Sequence, residues 1–151
     1  MENRFQAFTR NVARLYRAVQ KIKNTEMEQF GLKGTHVMCL FHLSLNNEGL
    51  TPAQLATECN EDKAAISRTI ADLKQNGLVI VQSEESKTYR SPITLTEQGC
   101  AVAKEINKMV ENAVTAGGSF MSDAERDAFY RNLSRIADNL EQYIARLEKT
   151  K

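Results

Sequence analysis

The sequence contains few of the residues that interrupt helices, with only two prolines and seven glycines among 151 residues. Long stretches without either residue favour helices. No apolar run approaches the ~20 residues that a membrane-spanning helix needs, and the N-terminal residues lack the apolar core of a signal peptide. We therefore expect a cytoplasmic protein with no membrane partner.

Cysteine is also scarce, with three residues at Cys39, Cys59 and Cys100. An odd number of widely spaced cysteines favours reduced thiols in a cytosol over a disulfide framework. Cys39 and Cys100 lie in apolar stretches, so both are expected to be buried thiols.

Neither sign of charge dominates, and the formal net charge is only +1. Residues 51–95 carry five Lys or Arg against six Asp or Glu. Binding to nucleic acid would therefore depend on local clustering of cations. Hydrophobic residues at 42 % and charged residues at 26 % are typical of globular domains and exclude a disordered or fibrous chain. The length fits a single domain covering residues 1–151.

Apolar residues recur every three or four positions near both ends of the chain, which predicts two long amphipathic helices. The second of these helices begins at a capping box, Ser122 to Glu125. The apolar stripes either pack within the chain or join two copies, and the compact middle segment favours the dimer. The stripe positions are Phe5, Phe8, Val12, Leu15, Val19 and Ile22 in the first helix, and Phe129, Leu133, Ile136, Leu140, Tyr143 and Leu147 in the last.

The middle of the chain predicts two short helices followed by two strands. Thr51 and Gln54 form a capping box with Pro52 at the first helical position, and Asp62 caps a second helix. The apolar run 78–81 and the segment 91–95 predict an edge β-hairpin. The predicted fold class is mostly α with a small β-hairpin wing: a winged helix-turn-helix with N- and C-terminal dimerisation helices.

In a winged helix-turn-helix the second helix of the motif enters the major groove of DNA. Ile66, Ile70 and Leu73 share one face, which predicts the buried side of that helix. The opposite face carries small residues around Arg68, whose guanidinium matches O6 and N7 of guanine. The predicted DNA-contacting residues are Thr51, Gln54, Lys63, Ala64, Ala65, Ser67, Arg68, Lys87, Tyr89 and Arg90.

Two of these predictions have structural alternatives. Arg68 can instead form a surface salt bridge with Asp72 one turn further on. The hairpin cations Lys87 and Arg90 can pair with the glutamates at 84 and 85 instead of entering the minor groove.

Four segments, in this order and spacing, resemble the MarR family of transcription regulators: residues 50–56, 62–68, 73–79 and 95–99. The resemblance implies dimerisation helices over 1–31 and 97–151 around a DNA-binding lobe over 32–96. It also implies a pseudo-palindromic operator and an unknown small-molecule effector that releases a repressor. By analogy with the family, Tyr16, His36 and Met38 line the effector pocket. The family's wing usually carries an aspartate before its arginine, and residues 87–90 lack it.

No enzyme or cofactor pattern is present. The sequence shows no Ser, His and Asp arrangement of a hydrolase and no glycine-rich phosphate loop. His36 and His42 are six residues apart on different faces of one helix, so they are not expected to bind a metal together. The competing function is a winged-helix protein–protein adaptor that does not bind an operator.

Overall fold

The computed structural model describes residues 3–82 and 91–150. Within these ranges six α-helices and two strands follow one another along the chain. The helices are α1 (Arg4–Met27), α2 (Gly34–Leu45), α3 (Pro52–Cys59), α4 (Lys63–Gln75), α5 (Glu97–Gly118) and α6 (Asp123–Lys149), and the strands are β1 (Val79–Val81) and β2 (Ile93–Leu95). The chain divides into two compact units, Met1–Glu111 and Asn112–Lys151.

The predicted helix-turn-helix is confirmed, and local capping explains where its helices begin. The Thr51 hydroxyl accepts the backbone N–H of Gln54, and the side-chain Oε1 of Gln54 accepts the backbone N–H of Thr51. The carboxylate of Asp62 accepts the N–H of Ala65 at 2.7 Å and starts α4. Between the helices Asn60 adopts the left-handed conformation, with φ of 52°.

Side chains from several helices and both strands of the first unit form one hydrophobic core. At its centre are the fully buried residues Met27, Leu40, Leu55, Ile66, Leu73, Ile93 and Ile106. Because α3 and α4 each bury one face against α2, their positions relative to the hairpin are set by this core.

The two strands form an antiparallel hairpin in which Val79 pairs with Leu95 and Val81 with Ile93. Ile93 also forms two backbone hydrogen bonds with Leu50, a short bridge that precedes α3. The base of the wing is therefore attached to the start of the helix-turn-helix. Residues 83–90, which include Lys87, Tyr89 and Arg90, lie outside the described residues.

Helix α5 begins in close contact with the turn that follows α4. The Thr96 hydroxyl accepts the N–H of Gly99 and donates to the carbonyl of Gly77 at 2.6 Å. The N–H of Thr96 donates to the carbonyl of Leu78. A side chain at Gly99 would collide with that same carbonyl, so this position requires glycine.

The second unit contains α6 and the end of α5. The predicted capping box is present, since Ser122 accepts the N–H of Glu125 while the Glu125 carboxylate accepts the N–H of Ser122. The N–H and the hydroxyl of Ser122 both donate to the Glu125 carboxylate, and these two hydrogen bonds lower the pKa of Glu125. Among the described residues, no helix combines the length and apolar character that a membrane crossing requires.

Candidate nucleic-acid interface

Helix α4 presents two contrasting faces, as the helical periodicity predicts. Ile66 and Leu73 are buried and Ile70 is half-buried, whereas the opposite face is solvent-exposed. That exposed face, the α4 reading face, consists of Ala64, Ser67, Arg68, Ala71 and Gln75, with half-buried Ala65 at its edge. Thr69 is buried as well. The apolar pattern of the sequence did not place it on the buried side because threonine is not counted in such a pattern, although its spacing from Ile66 and Leu73 puts it on the same face.

Arg68 is the only cation on this reading face. Within the described residues no ion pair joins it to Asp72, whose carboxylate instead approaches His36 at 3.4 Å. The alternative of an Arg68–Asp72 salt bridge therefore does not occur in this conformation. The guanidinium of Arg68 lies in solvent with its hydrogen-bond donors available for a ligand.

Three other residues predicted to contact DNA lie at the N-terminal ends of α3 and α4. Lys63 and Gln54 are exposed, and Thr51 is half-buried. The capping box uses the side-chain Oε1 of Gln54 and leaves its side-chain Nε2 as a donor. The Asp62 carboxylate places a negative charge at the start of α4, so only the amide dipoles and the Lys63 ammonium favour an anion there.

His36 connects α2 to α4 from inside the core. Its side chain is 5 % exposed, and Nδ1 accepts the backbone N–H of Lys33 at 2.9 Å. Since Nδ1 is an acceptor, the neutral ring carries its proton on Nε2 and donates it toward Asp72 on α4. This contact, which joins residues far apart in sequence, orients α4 relative to α2.

Replacing His36 with phenylalanine is expected to lower the free energy of unfolding by about 1–3 kcal/mol. An aromatic ring is retained, but the Lys33 N–H loses its acceptor. In contrast, Asp72→Ala is expected to cost less than about 1 kcal/mol because this carboxylate is half exposed. Urea unfolding of both variants measures the difference. Equal losses in the two variants would show that the backbone acceptor is not the stabilising feature.

The residues predicted for the effector pocket have different environments. Tyr16 on α1 is 66 % exposed, His36 is 4 % exposed, and Met38 on α2 is half-buried. A cavity of about 240 Å³ lies elsewhere in the first unit and is lined by Leu43, Ser44, Asn46, Asn47, Thr94, Leu95, Cys100, Ala103, Lys104 and Asn107. The Oδ1 atom of Asn107 is buried there without a hydrogen-bond partner in the described residues.

The two histidines have different contacts. His42 approaches Glu58 at 3.7 Å, whereas His36 contacts Lys33 and Asp72. No group of three or more metal-ligating side chains occurs in residues 3–82 and 91–150. Cys39 is buried as predicted, but the prediction for Cys100 is wrong, because its position on α5 points to solvent.

Comparison with known proteins identifies the fold. Residues 30–87 match the model of the MarR family. The chain resembles S. aureus MepR in its DNA-binding conformation, with a TM-score of 0.79 and 18 % identity over 88 % of this chain and 98 % of that one.

Two further solved structures have the same architecture. A putative MarR family transcriptional regulator from Listeria monocytogenes, complexed with 26mer DNA, matches with a TM-score of 0.79 and 21 % identity over 93 % of this chain and 90 % of that one. A MarR transcriptional regulator from Methanosarcina mazei Go1 matches with a TM-score of 0.76 and 21 % identity over 91 % of this chain and 98 % of that one. The fold is therefore that of the winged-helix MarR regulators.

Proposed function

We propose that this chain is a dimeric, sequence-specific DNA-binding transcription regulator, because residues 30–87 match the model of the MarR family and the described helices and strands have the fold of winged-helix MarR regulators. The observation that carries the proposal is the α4 reading face, where small exposed side chains surround one arginine that has no ion-pair partner in the described residues. Such a surface lets the helix approach the floor of the major groove closely, because no bulky side chain intervenes.

Each predicted contact has a distinct role in this proposal. Arg68 is proposed to donate two hydrogen bonds to a guanine, and Ala64 to contact a thymine methyl group. Thr51, Gln54 and Lys63 bind phosphates and set the orientation of the lobe. Ala65 and Ser67 border the reading face. Lys87, Tyr89 and Arg90 are proposed to contact the adjacent minor groove.

The proposal of a homodimer is supported by the two apolar stripes. The six stripe residues of α1 are 42–70 % exposed and the six of α6 are 41–53 % exposed. Exposed apolar surface of this extent marks an interaction site in a soluble protein. We propose that a second copy covers both stripes, since a two-fold symmetric pair of reading helices matches a pseudo-palindromic operator.

The effector is proposed to be a small molecule bound near Tyr16, His36 and Met38, acting in the cytoplasm to release a repressor from its operator. Support comes from the position of His36, whose hydrogen bond to Asp72 connects this region to α4. A ligand that competes for the ring would change the orientation of the reading helix. No catalytic role is proposed for any residue.

The function is tested by selecting fragments of genomic DNA from the source organism with the purified protein. Recovered fragments are then retested at about 50 mM and about 200 mM salt, where contacts to several phosphates predict a fall in affinity on the order of 1000-fold. A salt-sensitive pseudo-palindrome supports the regulator. Absence of saturable DNA binding at either salt contradicts it and favours the protein–protein adaptor, with which the near-neutral charge of residues 51–95 agrees.

Replacing Arg68 with alanine is expected to weaken operator binding by about 1–3 kcal/mol and to relax the preference at one base pair. The matched variant Arg68→Lys keeps the charge but loses the bidentate fork, so it should recover part of the affinity and little of the base preference. Binding titrations with operators substituted at each position measure both effects. Unchanged affinity and base preference in Arg68→Ala would remove Arg68 from the reading face.

A further inference from the structure

Two of the three cysteines meet between α2 and α3, although they are twenty positions apart in sequence. The Sγ atoms of Cys39 and Cys59 are 3.7 Å apart. Cys39 is buried in the core, whereas Cys59, the last residue of α3, is half-buried. One thiol is therefore within reach of a solvent oxidant, and the other lies directly behind it.

We propose that Cys39 and Cys59 form an oxidisable dithiol site, in which a hydroperoxide converts the pair to an intramolecular disulfide that displaces the start of α4. Cys59 is the attacking residue because of its exposure, and Cys39 resolves the intermediate because of its contact with Cys59.

The local charges support this order of reaction. The hydrogen bond from Cys39 lowers the pKa of Cys59, and the Lys23 ammonium lowers it further, against the opposing effects of burial and the nearby carboxylates of Glu61 and Glu58. Donation of that hydrogen bond and burial both raise the pKa of Cys39. The more accessible thiol is thus also the more acidic one, which favours it as the nucleophile.

The chemistry balances in two steps. The Cys59 thiolate attacks the O–O bond of the hydroperoxide, which breaks to give a sulfenic acid on Cys59 and an alcohol, or water when the oxidant is hydrogen peroxide. The Cys39 sulfur then attacks the Cys59 sulfur, the S–S bond forms, and the sulfenic oxygen leaves as water with the thiol proton. Both thiols are oxidised, and one hydroperoxide is reduced.

The disulfide has consequences for the turn before α4. An S–S bond is about 2.05 Å long, so the two sulfur atoms must approach by more than 1.5 Å from the present 3.7 Å. Only Asn60 and Glu61 separate Cys59 from Asp62, the residue that caps α4. Because Cys39 is held in a packed core, the movement falls on Cys59 and on this turn. The expected effect of oxidation on DNA binding rests on the proposed function.

To test this proposal, the reduced protein is treated with hydrogen peroxide and its intact mass is measured. The expected result is a loss of two hydrogens, with peptide mapping that links Cys39 to Cys59 within one chain. Cys100→Ser is the matched control, since Cys100 is exposed and contacts no second thiol in the described residues, and it should leave the reaction unchanged. Cys59→Ser should abolish it, and Cys39→Ser should stop at a sulfenic acid that dimedone traps. Cys39→Ala repeats this test if the serine variant misfolds.

Two further measurements test whether the disulfide displaces the start of α4. Amide hydrogen exchange across residues 60–66 should change on oxidation, and operator affinity should fall roughly tenfold and return with dithiothreitol. Thiols that stay reduced, or a disulfide through Cys100 or between chains, would overturn the site. A disulfide with unaltered exchange in residues 60–66 would overturn the coupling. Failure of the reduced protein to bind any DNA would count against the proposed function alone, because mass and exchange decide the dithiol site without DNA.

Discussion

Replacing Leu140 with aspartate is expected to convert the proposed dimer into a folded monomer. Leu140 lies mid-way along the apolar stripe of α6 and is 48 % exposed in the single chain, so the substitution costs the isolated fold little. In a two-fold symmetric interface the new carboxylate is buried twice, at on the order of 3–5 kcal/mol for each unpaired charge. The dissociation constant should therefore rise at least roughly 1000-fold.

The measurement is light scattering over a range of protein concentrations, with circular dichroism to show that helix content is retained. Gln142→Asp is the matched control, because it introduces the same side chain on the other side of α6 and should leave the dimer intact. The monomer should also lose most of its operator affinity, since it binds one half-site at a time. An unperturbed Leu140→Asp dimer would exclude this stripe as the interface.

Replacing Gly99 with alanine is expected to lower the free energy of unfolding by about 3 kcal/mol. The added Cβ would lie far inside van der Waals contact with the backbone carbonyl of Leu78, which already accepts the N–H of Thr96. A backbone group cannot rotate away as a flexible side chain can. The start of α5 must therefore shift, and with it the hydrogen bonds that Thr96 makes to Gly77 and Gly99.

Gly117→Ala provides the control for this prediction. Gly117 lies in the same helix, and no atom within 4 Å would meet its Cβ. Alanine there should be neutral or should stabilise the protein by up to about 1 kcal/mol through helix propensity alone. Chemical denaturation of both variants at one protein concentration makes the comparison. A loss at position 117 as large as that at position 99 would show that the effect is not the collision with Leu78.

The helix boundaries were predictable from the sequence because capping is local. In the boxes of Thr51 with Gln54 and of Ser122 with Glu125, every partner lies within three residues along the chain. The buried side of α4 was predictable for the same reason, since helical geometry alone determines which of its residues share a face. The reading face around Arg68 follows directly from that periodicity.

Side-chain environments that depend on distant elements were not predictable in this way. Cys39 and Cys100 both lie in apolar stretches, yet one is buried and the other exposed. Apolar neighbours indicate that a helix has a buried side, but the packing of α2 and α5 against their neighbours determines how deeply each thiol lies. The placement of Tyr16, His36 and Met38 as an effector pocket stays a prediction.

The sequence by itself determined the helices, their caps and their amphipathic faces, because these depend on interactions between residues a few positions apart. Only the tertiary structure decided which distant groups meet: His36 with Asp72 across 36 residues, Cys39 with Cys59 across 20, and Leu50 with Ile93 beside the wing. Contacts of this kind arise from the packing of whole elements around a common core, so the sequence around each residue does not predict them.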